Sequence, residues 1–195
     1  MTPPLETARL LLTPVTLEDA AQVQRIFPQW RVVQYLAAGV PWPFPPDGVF
    51  LHYRDRMLPA MERGEEWNWM LRLKIAPNRI IGGITLSRGD NLNRGFWLAP
   101  EWHNRGLMTE AVITTNDFWF DTLGFTRLRV PKAAANIASR RISEKTGMRL
   151  ITTEPDHAFV CGRMPAEIWE ITAEEWRAFR TQFRQRPQAN KRRLS

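Results

Sequence analysis

The 195-residue chain has a single cysteine, Cys161, so no intramolecular disulfide can form and a secretory context is not suggested. No window reaches 18 apolar residues, which excludes a membrane-spanning helix. Met1-Thr2-Pro3-Pro4 offers no basic stretch leading into an apolar run, so no signal peptide is expected. Only three histidines occur, His52, His103 and His157, at spacings that do not suit metal ligation, so no metal is expected. Acidic residues are missing from Arg184 to Ser195, where Arg184, Arg186, Lys191, Arg192 and Arg193 carry five of the +7 formal charges and leave +2 for the body. Basic charge alone therefore does not mark a nucleic-acid-binding protein. Residues 185–195 read as a solvated, disordered tail beyond a single domain of residues 1–184, with a ribosome or nucleic-acid contact as the alternative. The expected compartment is a reducing cytoplasm, and the expected state a monomer or homodimer.

What is present fits one globular domain, since 44% hydrophobic and 24% charged residues are ordinary proportions. Nine tryptophans and ten phenylalanines foreshadow a groove with aromatic walls. Leu10 to Val15 reads as a first strand, followed by a helix capped by Thr16 with Asp19 three residues on. A short helix is expected over Val32 to Leu36. The run Gly39 to Pro46 is a proline-stiffened loop, in which Trp42 and Phe44 could wall an acceptor site. Asp47 can cap a further helix that Pro59 should kink. Trp67 to Leu73 alternates at period two and pairs with Ile80 to Leu86 as a hairpin, where Gly82-Gly83 hints at a bulge or close backbone approach. Arg94 to Leu98 and Thr126 to Lys132 are strands flanking a long helix that opens at Gly106 and stops at Gly124. A helix follows over Ile137 to Thr146. Arg149–Thr153, Ala158–Cys161 and Glu167–Thr172 read as closing strands, and Thr172 with Glu175 caps a last helix. The order describes an α/β (α+β) domain with a mostly antiparallel sheet and helices on its faces.

Chemistry concentrates in Phe96-Trp97-Leu98-Ala99-Pro100-Glu101-Trp102-His103-Asn104-Arg105-Gly106-Leu107-Met108-Thr109-Glu110-Ala111. A strand gives way to a polar loop with a glycine, then to a helix whose first amides are unpaired and carry partial positive charge, a natural anion site. The run lacks the Gly-Lys-Ser/Thr ending of a P-loop and the three glycines of a dinucleotide fingerprint, so both are excluded. The loop equally suits an ordinary strand-to-helix turn.

The loop His103-Asn104-Arg105-Gly106-Leu107-Met108 resembles the Gln/Arg-x-x-Gly-x-Gly/Ala loop of GNAT acetyltransferases, with His103 and Met108 departing from the pattern. Thr109-Glu110-Ala111 is similar to the RimJ/RimL branch, whose members acetylate ribosomal-protein N-termini. Asn136-x-x-Ser139…Glu144-Lys145-x-Gly147-Met148, Thr7-Ala8-Arg9-Leu10-x-Leu12 and Ile80-Ile81-Gly82-Gly83 resemble further family segments in the same order. The likeness runs from about Thr7 to Trp176.

The resemblance implies a sheet of about seven strands, mixed and mostly antiparallel, whose fourth and fifth strands splay. Acetyl-CoA (coenzyme A) would lie between them as co-substrate, along the backbone of Phe96, Trp97 and Leu98. His103, Asn104, Arg105, Gly106, Leu107, Met108 and Thr109 would hold its phosphates, and Asn136 and Ser139 would contact it from the next helix. A backbone N–H at or near Leu98 would face the thioester oxygen, and Ser139 (or Ser143, or water) would protonate the thiolate. Transfer to an amine acceptor is direct, which leaves Cys161 a small strand residue. Glu101 and His157 are candidate bases. The acceptor would be a protein N-terminal α-amine. A small-molecule amine is the first alternative, and a non-catalytic acyl-CoA-binding domain, favoured by Met108, the second.

Overall fold

The computed structural model describes residues 1–185. The basic tail from Arg186 onward, with any ribosome contact assigned to it, lies outside the described residues. Strands β1 (Leu5–Glu6), β2 (Leu10–Pro14), β3 (Glu66–Leu73), β4 (Ala76–Ser87) and β5 (Arg94–Leu98) form one antiparallel sheet in that order. β6 (Arg127–Ala133), β7 (Arg149–Phe159) and β8 (Gly162–Thr172) form a second, ordered β6-β8-β7 and also antiparallel. The eight strands thus exceed the expected seven by the two-residue β1, and the strands expected as fourth and fifth are β5 and β6.

Local chemistry explains most boundaries. The Thr16 amide donates to Asp19 Oδ2 at 3.1 Å and opens a 3₁₀ turn into α1 (Ala20–Ile26). The expected helix at Val32–Leu36 is instead α2 (Trp30–Val33), because the carbonyls of Gln34 and Leu36 are claimed by the amides of Cys161 and Val160, each at 3.0 Å. α3 (Gly48–His52) and α4 (Leu58–Glu62) join through a π-helical turn at Tyr53–Met57, which widens the helix just before Pro59, where the missing amide would interrupt a regular ladder. α5 (Leu107–Asp117) likewise ends in a π turn at Phe118–Thr122, and Gly124 follows with φ of 73°. α6 (Ile137–Lys145) ends at Gly147, φ 77°. Thr172 and Glu175 exchange backbone-to-side-chain bonds at 2.8 and 3.2 Å and start α7 (Ala173–Gln185).

The three expected closing strands are two. Polar Thr152–Asp156 looks like a loop, yet β7 runs through it with register shifts near Leu150 and Glu154. Pro155 is tolerated because β7 is an edge strand. Cys161 falls in the turn between β7 and β8, half-buried, rather than in a strand.

The aromatic residues build core more than groove. Trp67, Trp69, Trp119, Phe118 and Phe120 fill the layer between the larger sheet and α5, with Trp169 and Trp176 joining from β8 and α7. Trp119 and Phe125 stack at 3.9 Å. In the proline-rich loop Phe44 packs edge-on against Phe27 at 5.4 Å, and the exposed Trp42 lies 5.4 Å from Trp30.

Candidate active site

The site begins where the two sheets part. β5 and β6 meet at one end, where the Asn93 amide donates to the Arg129 carbonyl at 2.9 Å and the Arg129 amide donates to Asn93 Oδ1 at 2.8 Å. Beyond that point each strand pairs only with its outer neighbour, β5 with β4 and β6 with β8. The expected splay is present.

The hydrogen-bond phase of β5 decides which backbone groups face the gap. The Ala99 amide donates to the Ile81 carbonyl at 2.9 Å, and Gly82 stands opposite Leu98. Antiparallel pairs alternate between bonded and non-bonded. Gly83–Trp97 is then a bonded pair, while Phe96 and Leu98 turn their N–H and C=O groups away from β4 into the gap. Within the expected Phe96–Leu98 edge, Phe96 and Leu98 present their backbone to the gap, while the Trp97 backbone pairs with β4. The Trp97 ring packs on Phe27 at 5.2 Å, and its Nε1 sits where a Cβ on Gly83 would lie 2.8 Å away.

Two cavities flank the gap. The larger, about 720 Å³, runs from Phe96 and Leu98 past the loop to α5 and α6. It takes in His103, Asn104, Arg105, Gly106, Leu107, Met108, Thr109, Asn136 and Ser139, along with Trp97 and Trp102. The smaller, about 270 Å³, opens on the other side and is lined by Lys132, His157 and Phe159 among others. Tyr35, Phe96, Asn136 and Ser139 line both, so the cavities meet at those four residues.

Gly106 precedes α5 with φ of 73°, a left-handed conformation, and Asn104 has φ of 60°. This turn leaves the amides of Leu107, Met108 and Thr109 without helical partners. Met108 stands where the resemblance expects a small residue; it packs in the core cluster and also lines the larger cavity. His103 also differs from expectation: its Nε2 lies 2.8 Å from the Leu98 carbonyl and must be the donor there, since a carbonyl only accepts. It fixes the end of β5 and leaves the Leu98 amide free. Arg105 lies over the Trp102 ring at 4.8 Å.

The loop is clamped from a distance. Glu110 accepts from the Thr7 hydroxyl, from the Arg9 amide at 2.8 Å and from Arg9 Nε at 2.7 Å, while Arg9 Nη1 donates to the Arg105 carbonyl at 3.0 Å. The Thr7-Ala8-Arg9 and Thr109-Glu110 motifs are thus two halves of one device. Burial raises the Glu110 carboxyl, but the Thr7 and Arg9 hydrogen bonds outweigh it and hold the group below its ordinary range. A depressed folded value means the contribution is complete above the unfolded value and disappears as pH falls through the folded one. Glu110→Gln is expected to lower the thermal midpoint at neutral pH by about 2–4 °C and to flatten its fall in acid, read by calorimetry from neutral pH downward.

Asn136 Oδ1 accepts the Ser139 amide at 3.1 Å and caps α6 while remaining on the cavity wall. Ser139 lies where the cavities meet, whereas Ser143 is fully buried behind it. Glu101 does not join the site: it is exposed and paired with Arg79 at 3.0 Å. His157 does line the smaller cavity, with Nδ1 2.9 Å from Glu154 Oε2. Arg31, Tyr35, Arg141 and Lys132 line the cavities although the sequence reading gives them no role there, and Lys145 enters that reading only within the Glu144-Lys145-x-Gly147 segment. The i, i+4 spacing of Arg141 and Lys145 behind Asn136 was the available signal for two of them. No cluster of three metal-ligating side chains occurs among the described residues, and no described helix is long and apolar enough to cross a membrane.

The donor set suits a pyrophosphate joined to an extended amide chain. Three helix amides, a glycine without Cβ and the cations Arg105, Arg141 and Lys145 could hold phosphates, and the unpaired edge at Phe96 and Leu98 could pair with amides.

Known proteins share this fold. A candidate ribosomal N-acetyltransferase, YdaF of Bacillus subtilis (strain 168), is 27% identical over 100 residues, 49% of this chain and 55% of its own length, so the match spans about half of that curated relative. Among solved structures, the ribosomal-protein-S5-alanine acetyltransferase from Vibrio fischeri superposes with a TM-score of 0.74 at 15% identity, covering 89% of this chain and 98% of that one. Mycobacterium smegmatis RimJ in complex with CoA-disulfide gives 0.73 at 20% identity, covering 89% and 87%. At such identities these structures speak to the fold. The acetyltransferase (GNAT) domain pattern itself matches residues 9–149, well over half of the sequence, and on that match the chain belongs to the GNAT acetyltransferase family.

Proposed function

We propose that this protein moves an acetyl group from acetyl-CoA to a primary amine by direct attack, in the cytoplasm, and that the acceptor is the α-amino group of a protein N-terminus. The observation that carries the reading is the unpaired Phe96 and Leu98 edge, which leads from the amides of α5 to the junction at Ser139. Acetyl-CoA supplies the activated acyl carbon. Leu98 N–H donates to the oxygen that gains charge as the amine attacks, a contribution of about 3 kcal/mol for one such donor. Ser139 protonates the leaving sulfur. His157, held by Glu154, stands on the smaller cavity as the base toward the acceptor, and Glu101, outside both cavities, has no part. The names of the relatives support a protein N-terminus as acceptor, and the 270 Å³ of the smaller cavity suits a chain end. A small amine uses the same machinery and is the second reading.

The test is a screen of acetyl-CoA against N-terminal peptides and small amines, with release of free thiol as readout. Turnover with α-amino peptides and little with small amines is the expected result, and the reverse ranking transfers the assignment to the second reading. With the best acceptor, Ser139→Ala is expected to lose about 10²-fold in kcat with little change in KM for acetyl-CoA. Binding of acetyl-CoA with no thiol release from any amine would make the domain a binder only.

A further inference from the structure

Lys132 sits near the end of β6, 6% exposed, behind Ser139. Its Nζ donates to Ser143 Oγ at 2.5 Å, to Ser139 Oγ at 3.2 Å and to the Ser139 carbonyl at 3.4 Å. Three acceptors match the three donors of an ammonium group. Among the described residues no carboxylate pairs with it: Glu167, opposite on β8, is held by Arg140 and by the Trp169 indole at 2.9 Å. The other charge facing it is Arg94 of β5, itself buried and bonded to Asn116 at 2.7 Å. Burial, then the Arg94 charge, push the Lys132 ammonium well below the usual lysine range. A buried cation in this position is expensive to keep, and it is correspondingly ready to release a proton.

We propose that Lys132 is the proton source behind Ser139, renewing the hydroxyl proton that Ser139 gives to the departing sulfur. The inference rests on the acetyl-transfer reading above. A serine hydroxyl alone is a poor acid, because giving up its proton leaves an alkoxide. With Nζ 3.2 Å from Oγ, the alkoxide is neutralised as it forms. The carbon–sulfur bond breaks with its electron pair on sulfur, sulfur takes the Ser139 proton, and Oγ takes one from Nζ. Lys132 is left as a neutral amine and regains a proton from water, while the acylated nitrogen gives its surplus proton to water or the His157 base. Ser139 touches the reacting atoms, and Lys132 acts through it.

The test needs no acceptor. Coenzyme A bound to wild type, Lys132→Met, Lys132→Arg and Ser139→Ala is titrated by the ultraviolet absorption of its thiolate, with affinity measured in parallel by calorimetry. The wild-type thiol is expected to ionise about one pH unit lower than in Lys132→Met or Ser139→Ala, because an ammonium-backed hydroxyl stabilises the thiolate. Lys132→Arg should recover most of the difference. A merely structural lysine would leave the midpoint unmoved. Equal midpoints in wild type and Lys132→Met, both binding coenzyme A, overturn the relay. If Lys132→Met does not fold, equal midpoints in wild type and Ser139→Ala overturn it instead. Failure of the wild type to bind coenzyme A overturns the acetyl-transfer reading itself.

Discussion

Gly106→Glu is expected to weaken acetyl-CoA binding by at least about 10²-fold, equivalent to some 2.7 kcal/mol. Two effects act together. The residue holds φ at 73°, where a side chain is strained by roughly 1–2 kcal/mol. The added carboxylate also enters the loop proposed to hold phosphate oxygens with the α5 amides, Arg105, Arg141 and Lys145, and like charges at an interface cost several kcal/mol. Gly106→Asn separates the two, since asparagine tolerates the left-handed conformation and adds no charge. Its loss should be about tenfold or less. The nearest atom to a Cβ here is Arg9 Nη2 at 3.6 Å, so folding should survive both changes. Calorimetry on a folded Gly106→Glu variant that still bound acetyl-CoA like wild type would remove the phosphates from this loop.

Gly82→Ala should be nearly as damaging, by another route. A Cβ there would lie 2.5 Å from the Trp97 carbonyl oxygen and 3.1 Å from the Leu98 Cα, both backbone atoms of β5. The strand must move, and it is the strand that carries the Leu98 donor. Overpacking of this kind costs about 1–3 kcal/mol of stability, and displacing a positioned donor by about 1 Å costs on the order of 10²-fold in turnover. A lowered thermal midpoint with kcat reduced and acetyl-CoA affinity largely kept is the expected pattern. Wild-type kcat in Gly82→Ala would mean that the Leu98 amide is not aimed at the reacting oxygen.

Much of the scaffold is legible along the chain because its signals are local. Caps at Thr16 and Thr172, stops at Gly124 and Gly147, and the bounds of β5 follow from residues within a few positions of one another. The long β7 is not legible, since Thr152–Asp156 is polar on an edge strand whose pairing with β8 is a tertiary matter. Side-chain direction is lost for the same reason. Met108 turns into the core, His103 turns back to Leu98, and Glu101 leaves for Arg79, although all three belong to one continuous motif.

Residue types at short spacing suffice for the order of elements, the glycine-bearing polar loop before α5 and the family pattern. It takes the folded chain to establish that Phe96 and Leu98, not Trp97, present their backbone to the gap, that Arg9 and Glu110 clamp the loop, and that Lys132 stands behind Ser139. Those facts depend on strand phase and on burial by residues far away in the chain, and a polar residue's meaning changes entirely with the neighbours that exclude water from it.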